Sequence, residues 1–168
     1  MTLIVETGAS VPTANSYVDL AYARTYASLV GLTLPANDAE CEAKILAGMA
    51  LIESFHSMYQ GHKTDSEQGC QFPRKYLFLY NYRVESDAIP AILKQAQVQA
   101  AAMAASGVDF FPTIEGLRIK KEKIDVIETE YDTEHLATYN GKPEYQAVMS
   151  LLQPLFVLNT GYRLTGGF

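Results

Sequence analysis

Ser54, His56 and Ser57 sit close together in the sequence, as do His62, Asp65, Glu67 and Cys70, and these are the residue types that build nucleophile–base pairs and metal sites. Serine catalysis needs an exposed nucleophile on a strained turn with a base in reach; the G-x-S-x-G signature of such a turn does not occur. The first set therefore reads as ordinary surface residues of a helix. Structural zinc sites use paired Cys/His ligands at short fixed spacings, and the second set matches none of them. It reads as a solvated loop, and no metal is expected. Gly166 and Gly167 are followed only by Phe168, so no phosphate-cradling helix is expected there and no cofactor is assigned. No catalytic residue is assigned either, and the expectation is a protein that is not an enzyme.

Binding chemistry is better represented. Arg118, Lys120, Lys121 and Lys123 are followed by Asp125, Glu128, Glu130 and Asp132. Paired as a hairpin, the two halves neutralise each other, each cross-strand pair contributing about 0.2–1 kcal/mol. Presented to identical neighbours, the basic and acidic edges could instead meet head to tail and close a ring. A third use sends Lys120, Lys121 and Lys123 to the phosphates of single-stranded DNA while Tyr76, Phe78 and Tyr80 stack on bases. Tyr162, Arg163, Leu164 and Phe168 form a glycine-rich tail over 158–168, suited either to disorder or to docking in a partner's groove. Tyr17, Tyr22 and Tyr26 read as residues at the edge of a core with wet hydroxyls rather than as a binding stripe.

Something must position these groups. The chain has 168 residues, 48% of them hydrophobic, which is enough for one core, and a single domain over 1–168 is expected. Its net charge of -6 argues against a broad duplex-binding surface, because non-specific affinity comes from neutralising phosphates. Apolar runs such as 151–158 fall well short of the roughly 18 residues a membrane span needs, so the chain reads as soluble and unsecreted, without a membrane partner. Cys41 and Cys70 read as free thiols of a reducing cytoplasm.

The fold class expected is mainly α: a small helical bundle with an extended β-hairpin or strand arm and a C-terminal tail. Asn15 or Ser16 can cap a first helix over about Tyr17–Val30, stopped by Gly31. Asn37 or Asp38 can cap a second, whose apolar face runs Cys41, Ile45, Met49, Ile52, Phe55 and Tyr59. Gly61–Arg74 has loop chemistry, and the alternating Tyr76, Phe78, Tyr80 and Tyr82 fit either a short strand or an ordered loop. Asp87 can cap an alanine-rich helix that carries Pro90 in its first turn and ends at Gly107; its alanines allow another helix to approach closely, within the subunit or across an interface. The arm covers about 117–132, and the differing parity of Ile119 and Ile124 requires a turn or bulge between them. A last helix spans about Glu144–Phe156, ended or kinked by Pro154.

Read in order, MTLIVETG with ANSYVDL, QFPRK, IPAILKQAQVQAA, IKKEKIDVIETEY and PEYQAVMSLLQPL resemble a family of small tailed-phage proteins similar to head-to-tail connector adaptors and often labelled DnaT-like single-stranded DNA-binding proteins. The resemblance covers nearly the whole chain, with Phe72-Pro73-Arg74 where the family frequently has Trp-Pro-Arg. It implies a virion structural protein in the neck, made in the host cytoplasm: a homo-oligomeric ring, of twelve copies, seated under the portal protein and continuing the DNA channel. The next neck or tail protein would bind below, with at most non-specific contact to passing DNA. On that reading Lys120, Lys121, Lys123, Glu128 and Glu130 are subunit-interface candidates, and Tyr162, Arg163, Leu164 and Phe168 dock to the portal or a neighbour. The alternative is a single-stranded DNA-binding protein.

Overall fold

The computed structural model describes residues 2–111 and 145–157, together with the backbone of 119–123 and 128–131. Among these the fold is mixed and mainly helical, as expected, with four α-helices and small antiparallel hairpins. Helix α1 is Leu20–Val30, α2 Asp38–Ser54, α3 Ala91–Ala105 and α4 Gln146–Leu152, the last followed by a 3-10 turn at Gln153–Leu155. Three two-residue-to-five-residue ladders accompany them: β1 (His62–Lys63) with β2 (Arg74–Lys75), β3 (Phe78–Leu79) with β4 (Tyr82–Arg83), and β5 (Ile119–Lys123) with β6 (Glu128–Tyr131).

The first helix starts later than its sequence suggests. Asp19 is the N-cap, its carboxylate accepting from the Tyr22 amide at 2.6 Å, and the αL residue Gly31 closes the C-terminus as expected. Asn15 and Ser16 are unavailable as caps because they serve the N-terminal strand. The Asn15 side chain accepts from the Ile4 amide, the Glu6 amide donates to the Ser16 carbonyl at 2.8 Å, and Val5 bridges Ser16 in parallel. Tyr17 is thereby drawn into the interior, fully buried rather than at a wet edge.

Asn37 caps α2, which ends at Ser54 instead of continuing its apolar face to Tyr59. Tyr59 reaches the core by another route, as an extended residue bridged to Phe156. Helix α3 starts after Pro90, with no side-chain cap, so the Asp87 cap is not used. The alanines of α3 pack within the subunit: Ala96, Ala100, Ala101 and Ala104 are buried, and α2 crosses at Gly48. A Cβ at Gly48 would lie 2.8 Å from both the Ala101 nitrogen and the Gln97 carbonyl oxygen, inside any normal contact. Gly48→Ala is therefore expected to destabilise by about 1–3 kcal/mol despite alanine's better helix propensity, because two backbones must separate. Urea denaturation with an unchanged m-value and a lower midpoint checks this.

Gln97, wholly buried between these helices, donates to the Ser16 hydroxyl at 2.9 Å and accepts from the Tyr17 amide at 2.9 Å, so the N-terminal segment is tied to α3. Helix α4 packs on α3 through Val148 and Leu152, and Pro154 falls in the 3-10 turn that terminates it. The Tyr145 hydroxyl donates to the Phe110 carbonyl at 3.1 Å, which sets the start of α4 beside the end of the segment that follows α3. In the intervening sequence β5 and β6 pair antiparallel, as the hairpin or strand pair expected of the arm, with a register shift between Ile119 and Lys121; Ile124 lies outside the described residues. Lys121 is paired with Glu130 and Lys123 with Glu128. The tail candidates Tyr162, Arg163, Leu164 and Phe168 lie outside the described residues.

Candidate nucleic-acid interface

Gly61–Arg74 is loop between β1 and β2, as the sequence presents it, but its second half turns inward. Gln68, Cys70, Phe72 and Arg74 are buried. Phe72, in a cis peptide with Pro73, stands edge-on to Tyr17 (centroids 6.1 Å apart) and Tyr59 (5.0 Å). Arg74 then spreads its guanidinium over neutral acceptors: Nε donates to the Gln60 carbonyl at 2.7 Å, one terminal nitrogen to the Gly61 carbonyl at 2.8 Å, and the other to the Gln71 side chain at 3.1 Å. It also lies 5.8 Å from the ring centroids of Tyr59 and Phe72. Burial pushes its pKa down, against the upward pull of Tyr17, Tyr59 and Glu53.

Behind this cation, the half-buried Glu53 carboxylate accepts from the Tyr17 hydroxyl at 2.5 Å and from the Gln71 amide at 2.9 Å. Burial raises the Glu53 pKa, and burial followed by the Glu53 charge raises that of Tyr17. Cys70 contacts the Ala14 carbonyl and is pushed up to about 12, chiefly by burial. Cys41 is equally enclosed, and burial raises its pKa too. Neither thiol is therefore expected to react with Ellman's reagent at neutral pH in the native protein, while both should react in guanidinium chloride.

This anchored base carries an exposed hairpin. Leu77 is buried and Leu79 packs on the core from the same side, which turns the intervening rings outward. Exposure is 60% at Tyr76, 48% at Phe78, 70% at Tyr80 and 79% at Tyr82. The β3–β4 turn is Tyr80-Asn81 with φ of 51° and 69°, the two positive values a type I′ hairpin loop requires. Asn-Gly is the usual solution, so a tyrosine in the left-handed region is a strained placement. Phe78 is paired with Arg83, whose guanidinium lies 5.9 Å from the Tyr76 ring, and the His62 ring is 5.3 Å from Tyr76 on its other neighbour. From Arg74 to Val84 the chain carries Arg74, Lys75 and Arg83 and no acid. In a protein of net charge -6 this is a locally cationic, aromatic strip.

Tyr76, Phe78 and Tyr80 are all exposed on this hairpin, as the DNA-binding alternative requires, and His62 and Arg83 lie against Tyr76, with Lys75 paired to His62; Tyr82, paired with Leu79, is exposed on the opposite face from Phe78. Lys75, Tyr82 and Arg83 belong to the run 74–84, aromatic at alternate positions and free of acids, whereas His62 lies outside it. Lys120, Lys121 and Lys123 lie on β5 and Glu128 and Glu130 on β6; only their backbone is described, and nothing there brings them to the aromatic strip. Tyr22 and Tyr26 stack on α1 with centroids 6.3 Å apart and are half-buried. The Ser54 hydroxyl donates back to the Leu51 carbonyl at 2.6 Å, a helix-surface role. Among the described residues no group of three His, Cys, Asp or Glu side chains could hold a metal ion, and no helix is long and apolar enough to cross a membrane.

The small, mainly helical body thus presents exposed aromatic rings and a guanidinium on a braced hairpin. Residues 1–166 match the family described as "Putative DnaT-like ssDNA binding protein", and the chain belongs to that family. No curated protein matches it, and no solved structure does.

Proposed function

We propose that the chain binds single-stranded DNA through the strip Tyr76–Arg83. The observation that carries this is the set of four exposed rings on an acid-free cationic segment of an acidic protein. Each base stacked on an aromatic ring is worth about 1–3 kcal/mol and any base can supply the π-face, so the contact is tolerant of sequence. His62, Lys75 and Arg83 flank the rings where phosphates would run. The family description supports the same reading. Binding, not catalysis, is the proposed activity.

The test is fluorescence anisotropy of a labelled oligo-dT at low salt, with a matched duplex as control. Micromolar binding is expected, with a shallow log–log salt slope of about -1.4, since Lys75 and Arg83 neutralise two phosphates at about 0.7 per contact. Absence of binding at micromolar protein discards the reading.

A head-to-tail adaptor is the second reading, favoured by one observation: tyrosine, phenylalanine and arginine are also the anchors of protein interfaces, and a net charge of -6 suits a protein partner better than phosphate. In that case the chain works in the virion neck as a ring on the portal, with Lys120, Lys121, Lys123, Glu128 and Glu130 between subunits and Tyr162, Arg163, Leu164 and Phe168 docking outward. Electron microscopy of the protein mixed with portal rings decides it, because a portal that stays bare removes the adaptor role.

A further inference from the structure

We propose that Gln60 is the positioning residue of the aromatic hairpin, holding it in its exposed pose and tying it to the chain that leaves α4; this rests on the reading of the hairpin as a DNA-binding surface. A hairpin with two paired residues per strand has little stability of its own. Its inner face is fixed by Leu77 and Leu79, but its outer edge needs a partner. The Val84 amide donates to the Leu77 carbonyl at 2.9 Å, so by the alternation of an antiparallel pair the Phe78 amide faces away from β4. Gln60 supplies the missing acceptor: its side-chain oxygen takes the Phe78 amide at 3.2 Å, as a neighbouring strand would.

The other polar groups of Gln60 are also engaged. Its side-chain nitrogen donates to the carbonyls of Pro154 at 2.9 Å and Phe156 at 3.2 Å. Its amide donates to the Leu155 carbonyl at 2.9 Å, and its carbonyl accepts from Arg74 at 2.7 Å. One residue therefore joins the hairpin edge, the guanidinium beneath it and the segment running to Val157, whose own amide donates to the Met58 carbonyl at 2.8 Å. Without Gln60 the rings would still be exposed, but their order would have to be imposed by the ligand, which weakens binding.

Gln60→Met removes both side-chain functions at similar size and adds no charge. Titrated with labelled oligo-dT at a temperature where circular dichroism shows it folded, the variant should bind about tenfold more weakly, the ordering cost of a few immobilised side chains. Tyr80→Ala should then cost less in the Gln60→Met background than in the wild type, a coupling that a purely stabilising residue would not produce. Wild-type affinity with an unchanged Tyr80→Ala cost overturns the proposal. Hydrogen exchange of the Phe78 amide in the wild-type protein is the second measurement: protection is expected, and free exchange overturns the assignment even if Gln60→Met does not fold. Should the wild type bind no oligonucleotide, the DNA reading falls, and the place of Gln60 is decided by whether that protection is present in the wild type and lost in Gln60→Met.

Discussion

Arg74→Met should lower the free energy of unfolding by about 2–5 kcal/mol, since the hydrogen bonds that its charge gives to the Gln60 and Gly61 carbonyls and the Gln71 side chain, worth about 1.5–3 kcal/mol each, are lost, offset in part by water at the exposed Gly61 and by the packing that methionine keeps. Arg74 is 6% exposed, and its guanidinium bonds the carbonyls of Gln60 and Gly61 and the side chain of Gln71 at the same time. Arg74→Lys should recover less than half of the loss. An ammonium is a point charge without the planar fork, and it cannot face the Gln60 and Gly61 oxygens and Gln71 together. Guanidinium denaturation of the three proteins checks both steps. A value below 1 kcal/mol for Arg74→Met would mean that the carbonyls find other donors and that the hairpin does not depend on the cation beneath it.

The same residue shows where the sequence was legible and where it was not. Helices α1, α2, α3 and α4 follow from apolar spacing and from punctuation such as Asn37 and Gly31, because these are local signals. The caps are less legible: Ser16 looks as suitable as Asp19 until its bridge to Val5 engages it, and α3 starts after Pro90 without the side-chain cap that Asp87 offers. QFPRK sits among polar residues and glycine, and nothing local announces that Phe72 will fill the core between Tyr17 and Tyr59. MTLIVETG is similar. The buried Glu6 accepts from the amides of Gly8 at 2.7 Å, Ser10 at 3.1 Å and Val11 at 2.7 Å, and a Cβ at Gly8 would lie 1.8 Å from the Asp87 carbonyl oxygen. That requirement joins segments about half the chain length apart and leaves no periodic trace. For the interface, the rings at alternate positions were visible; Arg83 against Tyr76 was not, because a two-residue turn between them is set by backbone φ values rather than by the usual glycine.

Tyr80→Gly and Tyr82→Ala should separate stability from binding. Both rings are exposed, at 70% and 79%, so Tyr82→Ala should leave the melting temperature within error of the wild type. Oligo-dT affinity should nevertheless fall by about 5- to 150-fold for each ring, the equivalent of one lost stack of about 1–3 kcal/mol. At Tyr80 the two effects should have opposite signs. Its φ of 51° costs a tyrosine on the order of 1 kcal/mol or more and a glycine almost nothing, so Tyr80→Gly should stabilise the fold by about 0.5–1 kcal/mol after the glycine's larger unfolded-state entropy is deducted. Weaker binding by a more stable protein would mean that the strain is maintained for the ring that it presents. If Tyr80→Gly stabilises and affinity is unchanged, the ring is not a stacking position, and the hairpin's strain must serve a protein partner, which the same variant mixed with portal rings would reveal by failing to seat.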